Sequence, residues 1–240
     1  MSSSQHRWAL AVTLLVHCGG AGTCPDCGEP ARRGVLARAE LDEVSGIVAS
    51  SRLPDVLYVH NDAGDSSRFF AISPAGADLG VFAVKGAQNV DWEDMGRGPC
   101  PAGSCLYIGD IGDNDRDRLA YALYRIVEPT TISPGEHSVD ADRLVFTYPD
   151  GAHDAETLLV HPVTGEVTIV TKVDSGTAQI FVLPRDLTTT KTLMATAAGE
   201  LVSPSGDDRF TGGAIHPDGV AVLLRTSGGL FWYPMQPAQT

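Results

Sequence analysis

The sequence predicts an all-β protein built as a β-propeller, and three observations carry that prediction. Glycine and proline are abundant, 26 and 15 in 240 residues, and no long stretch has helical period. That mix reads as many short strands joined by turns. A pattern of apolar segment, Pro- or Gly-containing turn and more strongly apolar strand recurs four times. Units of about 50 to 60 residues with four antiparallel strands are the mark of propeller blades. A β-sandwich also has short strands and frequent turns, but it gives no reason for turn, aromatic and acidic positions to recur in register.

The amino terminus stands apart from this pattern. Met1 to Arg7 is polar, and Trp8 to Val16 is an apolar run of nine residues. Such a run is too short for the ~20 residues that span a bilayer but fits the core of an export signal. Leu15-Val16-His17-Cys18 resembles a bacterial lipoprotein cleavage box with Cys18 as the acylated residue, although His17 stands where a small residue is usual. Three readings stay open: a lipoprotein of the periplasm or outer membrane, an ordinary secreted chain, or an uncleaved buried segment. The expected organisation is a signal over residues 1–18, a linker over 19–33 and the propeller over 34–240.

Setting Cys18 aside leaves Cys24, Cys27, Cys100 and Cys105. Cys24-Pro-Asp-Cys27 is short enough for half a zinc site or a redox pair, yet structural zinc needs four ligands. In an exported chain, disulfides are the better expectation. Cys100–Cys105 would then staple a hairpin loop, and Cys24–Cys27 would form a short bridge in the linker.

The first unit runs Ser45–Ala49, a turn through Pro54, then Val56–Val59, Phe69–Ile72 and Val81–Val84. The second runs Trp92–Met95, the cysteine loop, Leu106–Ile108, Ala122–Val127 and Leu144–Thr147. The third has Glu156–Val160, a His161-Pro162 turn, Val167–Val170, Ile180–Leu183 and an outer strand over Thr192–Ala195. The fourth has Gly213–Ile215, a His216-Pro217 turn, Val220–Leu224 and Leu230–Tyr233, with no outer strand of its own. Gly34–Leu41 alternates weakly and is expected to fill that place, joining the two ends of the chain. About four blades are therefore present, as a compact ring or as the arc of an incomplete six-bladed one.

Seventeen basic against thirty acidic residues give a net charge of −13. Nucleic-acid binding needs a basic face to release counterions from phosphates, and this chain has none to offer. Membrane contact is expected only through a lipid on Cys18. The apolar share of 43% suffices for a sizeable core.

The acids collect where the innermost strands begin and where the second strands end, which in a propeller share one face. They include Asp42, Glu43, Asp91, Glu93, Asp94, Asp154, Glu156, Asp207 and Asp208, with Asn61-Asp62-Ala63-Gly64-Asp65 and Asp110-Ile111-Gly112-Asp113-Asn114. Carboxylates converging on one mouth repel one another unless a cation or protons are bound, and hard oxygens suit Ca²⁺. Glu93, Asp94, Glu156 and Asp110 are the candidate metal ligands. Lys172 and Arg225, at the matching places of the last two units, and Asn61 are candidate ligand contacts. Asp110 and His60 are the candidate bases, although a lone histidine is more often structural. Asp113, Asp115 and Asp117 imitate the start of an EF-hand, but Arg118 and Tyr124 occupy the places of its Gly and Glu, so these acids read as turn formers. Trp92 reads as a packing wedge between blades. Neither a Gly-x-Ser-x-Gly elbow nor a Walker loop occurs.

Glu43-Val44-Ser45-Gly46-Ile47, Asn61-Asp62-Ala63-Gly64, Asp91-Trp92-Glu93-Asp94 and Leu106-Tyr107-Ile108-Gly109-Asp110-Ile111-Gly112-Asp113-Asn114 together resemble a family of mostly uncharacterised secreted bacterial propellers. The resemblance runs from about Gly34 onward. More distantly the pattern is similar to phytase-like and six-bladed calcium-dependent hydrolase propellers, whose channel-facing acids bind Ca²⁺. Two functions follow as expectations. The first is an exported, membrane-anchored propeller that binds a ligand or protein partner through an acidic, calcium-loaded funnel. The second is a calcium-dependent hydrolase of phosphate or carboxylate esters.

Overall fold

The computed structural model describes residues 31–174, 177–203 and 209–235, and the backbone of 16–17. These residues form four mainly antiparallel sheets arranged as propeller blades, two of them with one added parallel strand, and among them there is no helix. The predicted bridge Cys24–Cys27 and the predicted lipidation site Cys18 lie outside the described residues, as do Asp207 and Asp208.

Strand β1 (Val16–His17) pairs with the fourth blade, at the other end of the described chain. The first blade holds β2 (Val44–Ala49), β3 (Leu57–Asn61), β4 (Arg68–Ile72) and β5 (Asp78–Val84). The second holds β6 (Trp92–Cys100), β7 (Gly103–Asp110), β8 (Tyr121–Val127) and β10 (Asp142–Thr147), while β9 (Glu136–Val139) crosses back to lie parallel to β5. In the third are β11 (Ala155–Val160), β12 (Val167–Thr171), β13 (Thr177–Val182) and β15 (Thr196–Val202). Here β14 (Leu193–Met194) crosses back to lie parallel to β10. The fourth is β16 (Phe210–Ile215), β17 (Ala221–Thr226) and β18 (Gly229–Pro234).

Two expectations are corrected. Thr192–Ala195 is not the outer strand of the third blade. Its core serves the second blade as β14, and β15 takes the outer place. Gly34–Leu41 does not pair with the last blade either. It lies along the first, where Ala37 N–H donates to the Gly76 carbonyl at 2.9 Å and Leu41 packs with Val59, Phe70, Ile72 and Val81. The outer position on β18 is taken by β1, through Val16 and His17. Period-2 alternation identifies a strand but not its neighbour.

Apolar cores fill the gaps between blades. Tyr58, Phe69 and Phe82 of the first blade meet Trp92, Leu106, Ile108 and Tyr124 of the second. Trp92 is the wedge there, its Nε1–H donating to the Gln88 carbonyl at 3.0 Å. Tyr107, Leu123 and Phe146 meet Leu158, Ile169 and Phe181 of the third, whose Leu159, Val170 and Ile180 meet Phe210, Leu224 and Phe231 of the fourth. Among the described residues no core spans the first and fourth blades. Cys100 and Cys105 form a disulfide across the β6–β7 hairpin.

Candidate functional site at the acidic mouth

The four innermost strands share one irregularity. Each carries a β-bulge at its start, between Val44 and Gly46, Trp92 and Asp94, Ala155 and Thr157, and Phe210 and Gly212. A bulge inserts one residue, bends the strand and re-aims a side chain. The inserted residues are Ser45, Glu93, Glu156 and Thr211, so one structural position presents hydroxyl, carboxylate, carboxylate and hydroxyl in turn. Ser45 Oγ donates to Glu93 Oε2 at 3.4 Å. Glu156 pairs with Lys172. Thr211 accepts from Arg225, through Oγ1 at 3.0 Å and its carbonyl at 2.7 Å.

Three carboxylates meet at this end of the first two blades. Asp62 follows β3, Asp91 precedes β6 and Glu93 sits on its bulge; their oxygens lie within 4.8 Å of one another. Gly112, in the loop after β7, forms the wall against them: a Cβ there would overlap Asp91 Oδ2 and Glu93 Oε1. Burial, then the charges of Asp62 and Asp154, push Asp91 up to about 6. Burial, then Glu156, Asp62 and Asp91, push Glu93 up to about 9. The basic groups that act on these acids are held by others. Arg118 pairs with Asp110 at 2.9 Å and donates to the Gly112 carbonyl at 2.7 Å. Lys172 lies between Glu156 and Asp154 and reaches Asn114 Oδ1 at 3.3 Å. The cluster is thus rich in acceptors and short of donors.

Of the candidate metal ligands and contacts named from sequence, Glu93 alone belongs to this cluster; Asp62 and Asp91 were counted there only among the acids of the mouth. Asp94 points the other way and joins three blades: its carboxylate accepts from the amides of Met95 at 2.8 Å, Leu158 at 2.9 Å and Gly213 at 3.3 Å. Burial raises it to about 7, against those amides. Asp110 is buried, accepting the Asp91 amide at 3.1 Å as well as Arg118. Glu156 and Lys172 neutralise each other, and Arg225 is turned onto Thr211. Asn61 is buried, donating to the Glu40 carbonyl at 2.5 Å and to Asp65 at 3.2 Å. His60 has no exposed surface. Its Nδ1–H donates to the Asn61 carbonyl at 2.8 Å, burial lowers its pKa, and its ring fits only because Gly46 has no Cβ.

Gly112 and Arg118 were missed by the sequence reading. The repeated Asp-x-Gly-Asp was the available signal, but its glycines serve different ends. Gly64 sits in a turn at φ +95°, where glycine is favoured. Gly112 gives room to two carboxylates.

No protein-family model and no curated protein matches the sequence. The resemblance to secreted bacterial propellers therefore rests on the motifs quoted above. Solved structures share the architecture at low similarity. The β-propeller domain of Myceliophteria thermophila Cps50 (Swd1) is 9% identical with a TM-score of 0.42, over 80% of this chain and 54% of that one. A chain of the mitotic checkpoint complex is 15% identical with a TM-score of 0.42, over 81% and 50%. Drosophila semaphorin 1a, extracellular domains 1–2, is 9% identical with a TM-score of 0.45, over 79% and 56%. The chain spans about half the length of these structures. The assignment of the fold rests on the four sheets themselves.

Proposed function

We propose that this chain is an exported binding propeller whose acidic mouth holds Ca²⁺ between Asp62, Asp91 and Glu93 and presents it to a ligand or protein partner. One observation carries the reading: three carboxylates from two blades are pressed together against Gly112, while the nearby cations are bound elsewhere. Leaving water costs a carboxylate free energy, and facing another costs more. A divalent cation relieves both, and an all-oxygen set suits Ca²⁺, which completes its six to eight ligands with water or a partner's oxygens. The Cys100–Cys105 disulfide supports an oxidising compartment. A lipid on Cys18 would tie the propeller to a membrane. Ester hydrolysis has no comparable support, because His60 is fully enclosed and Asp110 and Lys172 are engaged.

The test is calcium titration of the purified chain, followed by calorimetry and thermal melting with an EGTA control. Calcium at about 100 times its Kd should stabilise the fold by about 2.7 kcal/mol. Glu93→Gln and Asp91→Asn should each melt normally in EGTA yet lose most of the calcium shift. A melt that calcium leaves unmoved would overturn the cation site. Turnover of a chromogenic ester or phosphoester that stops in EGTA would favour the hydrolase.

A further inference from the structure

A second feature, independent of the cation, lies at the outer rim. The first two blades each carry a fifth strand that runs parallel to the outer one, donated by the blade that follows. β9 leaves the second blade to lie against β5, pairing Val81 with Glu136 through Val84 with Val139. β14 leaves the third blade to lie against β10, pairing Phe146 with Leu193 and Thr147 with Met194. Each donor also closes the core beneath it. Ile132, Val139 and Ala141 pack into the gap between the first two blades, and Leu187, Leu193 and Ala195 into the next gap.

The third blade has no such cover among the described residues, where β15 is the end of its sheet. The consequence shows in burial. Val81, Phe82 and Val84 of β5 and Leu144 and Phe146 of β10 are buried, whereas Thr196 to Glu200 of β15 are all exposed. Val202, near its end, is 62% exposed. The edge has no proline, no lysine and a single charge, Glu200; its one protection against further pairing is a bulge at Ala198, opposite Ile180 and Phe181. A proline marks the exit of each third strand, at Pro74, Pro129, Pro184 and Pro234. β9 begins seven residues after Pro129 and β14 nine after Pro184.

We propose that the outer edge of β15 is a strand-acceptor site for an extended segment of a partner polypeptide, running parallel to β15. Main-chain hydrogen bonds would hold it, as in other strand additions. Apolar residues at alternate positions would cover the outer end of the gap between the third and fourth blades, as Leu193 and Ala195 do one blade earlier. A second copy is a poor donor, because its β9 and β14 are already engaged. The net charge of −13 favours a neutral or basic segment.

The experiment uses the whole chain and two labelled peptides that copy its own donor segments, residues 132–141 and 186–195. Amide exchange in the chain alone should be much faster in β15 than in β5 and β10. Either peptide should slow exchange in β15 while leaving the first two blades unchanged. Ala198→Pro should weaken peptide binding at least about tenfold. Should that variant disturb the third blade, Ala198→Lys, which blunts the edge without removing an amide, should weaken binding in the same direction. The proposal is overturned if β15 is as protected as β10 without peptide, or if neither peptide binds. It is also overturned if light scattering shows a dimer that Ala198→Pro or Ala198→Lys dissociates, since β15 would then be paired with a second copy. None of these outcomes depends on calcium, so failure here leaves the cation site standing.

Discussion

Glu93 and Glu128 stand at opposite ends of the same wall between the first and second blades, and they are almost equally hidden, at 3% and 1% exposure. Their protons behave in opposite ways. Glu128 follows β8 and lies among donors: Ser50 Oγ at 2.7 Å, the Ser51 amide at 2.7 Å, and Ser51 Oγ and Ser104 Oγ at 2.5 Å. Burial alone would raise its pKa, but these hydrogen bonds hold it below the usual range. Glu93 is similarly hidden and has one long bond from Ser45, and the charges that act on it are mainly those of Glu156, Asp62 and Asp91, with Lys172 opposing them. What surrounds a buried acid decides its role. A carboxylate ringed by donors is a structural tie, and one ringed by acceptors is where we propose that a cation binds.

The sharpest way to break this contrast is Glu128→Ala. Removing the carboxylate takes the shared acceptor from the hydroxyls of half-buried Ser50 and Ser104 and from exposed Ser51, and should cost about 2 kcal/mol, roughly 4–8 °C in melting temperature for a chain of this size. Glu128→Gln, which keeps one acceptor, should fall between. A melt of Glu128→Ala within about 1 °C of the parent would show that the serine cradle is idle.

The contrast also fixes a pH dependence. Asp91 and Glu93 hold their protons more tightly folded than unfolded, at about 6 and about 9. Their contribution therefore favours the fold at low pH and is lost as pH rises through those values. In EGTA, stability should decline between about pH 5 and 9, by on the order of 2 kcal/mol after allowance for solvent screening. Saturating calcium should flatten the decline. Asp113 and Glu128, whose pKa values are lowered, act with the opposite sign at lower pH; Asp94, raised to about 7, adds a part of the decline that calcium leaves in place, and buried His60, whose pKa is lowered, opposes the decline below about pH 6.5. Melts across the range, with and without calcium, check the sign. A rise in stability toward pH 9 in EGTA would contradict the arrangement at the mouth.

A smaller effect sharpens the role of the wall. Gly112→Ala would place a methyl group against Asp91 and Glu93. It should weaken calcium about tenfold while costing the fold only about 1 kcal/mol. Equal losses in both measurements would make Gly112 a packing residue and nothing more.

Much of the architecture was legible because strand alternation and turn chemistry are local. The four units, the hairpin disulfide and the wedge at Trp92 follow from adjacent residues. Thr192–Ala195 was misplaced because its alternation suits an outer strand on either blade. Only the length of the connection and the cover it gives the gap send it back to β10. Gly34–Leu41 was misplaced for a related reason, since Leu41 serves the open face of the first blade as well as any strand would. At the mouth, Glu93 was recognisable as an acid borne on an inner strand. Asp94, its neighbour in sequence, carries the same charge but faces the amides of Met95, Leu158 and Gly213, and two of those three come from other blades.

The sequence by itself determined that this chain would fold into repeated four-stranded units with acids gathered at one end, since each such feature depends on residues near one another along the backbone. Only the tertiary structure decided which acids face one another and which face a donor. That choice depends on distances across blades, where Asp62 meets Asp91 and Glu93 while Ser50, Ser51 and Ser104 meet Glu128. A charge is stabilised or strained by what stands a few ångströms away in space, and the order of residues does not record it.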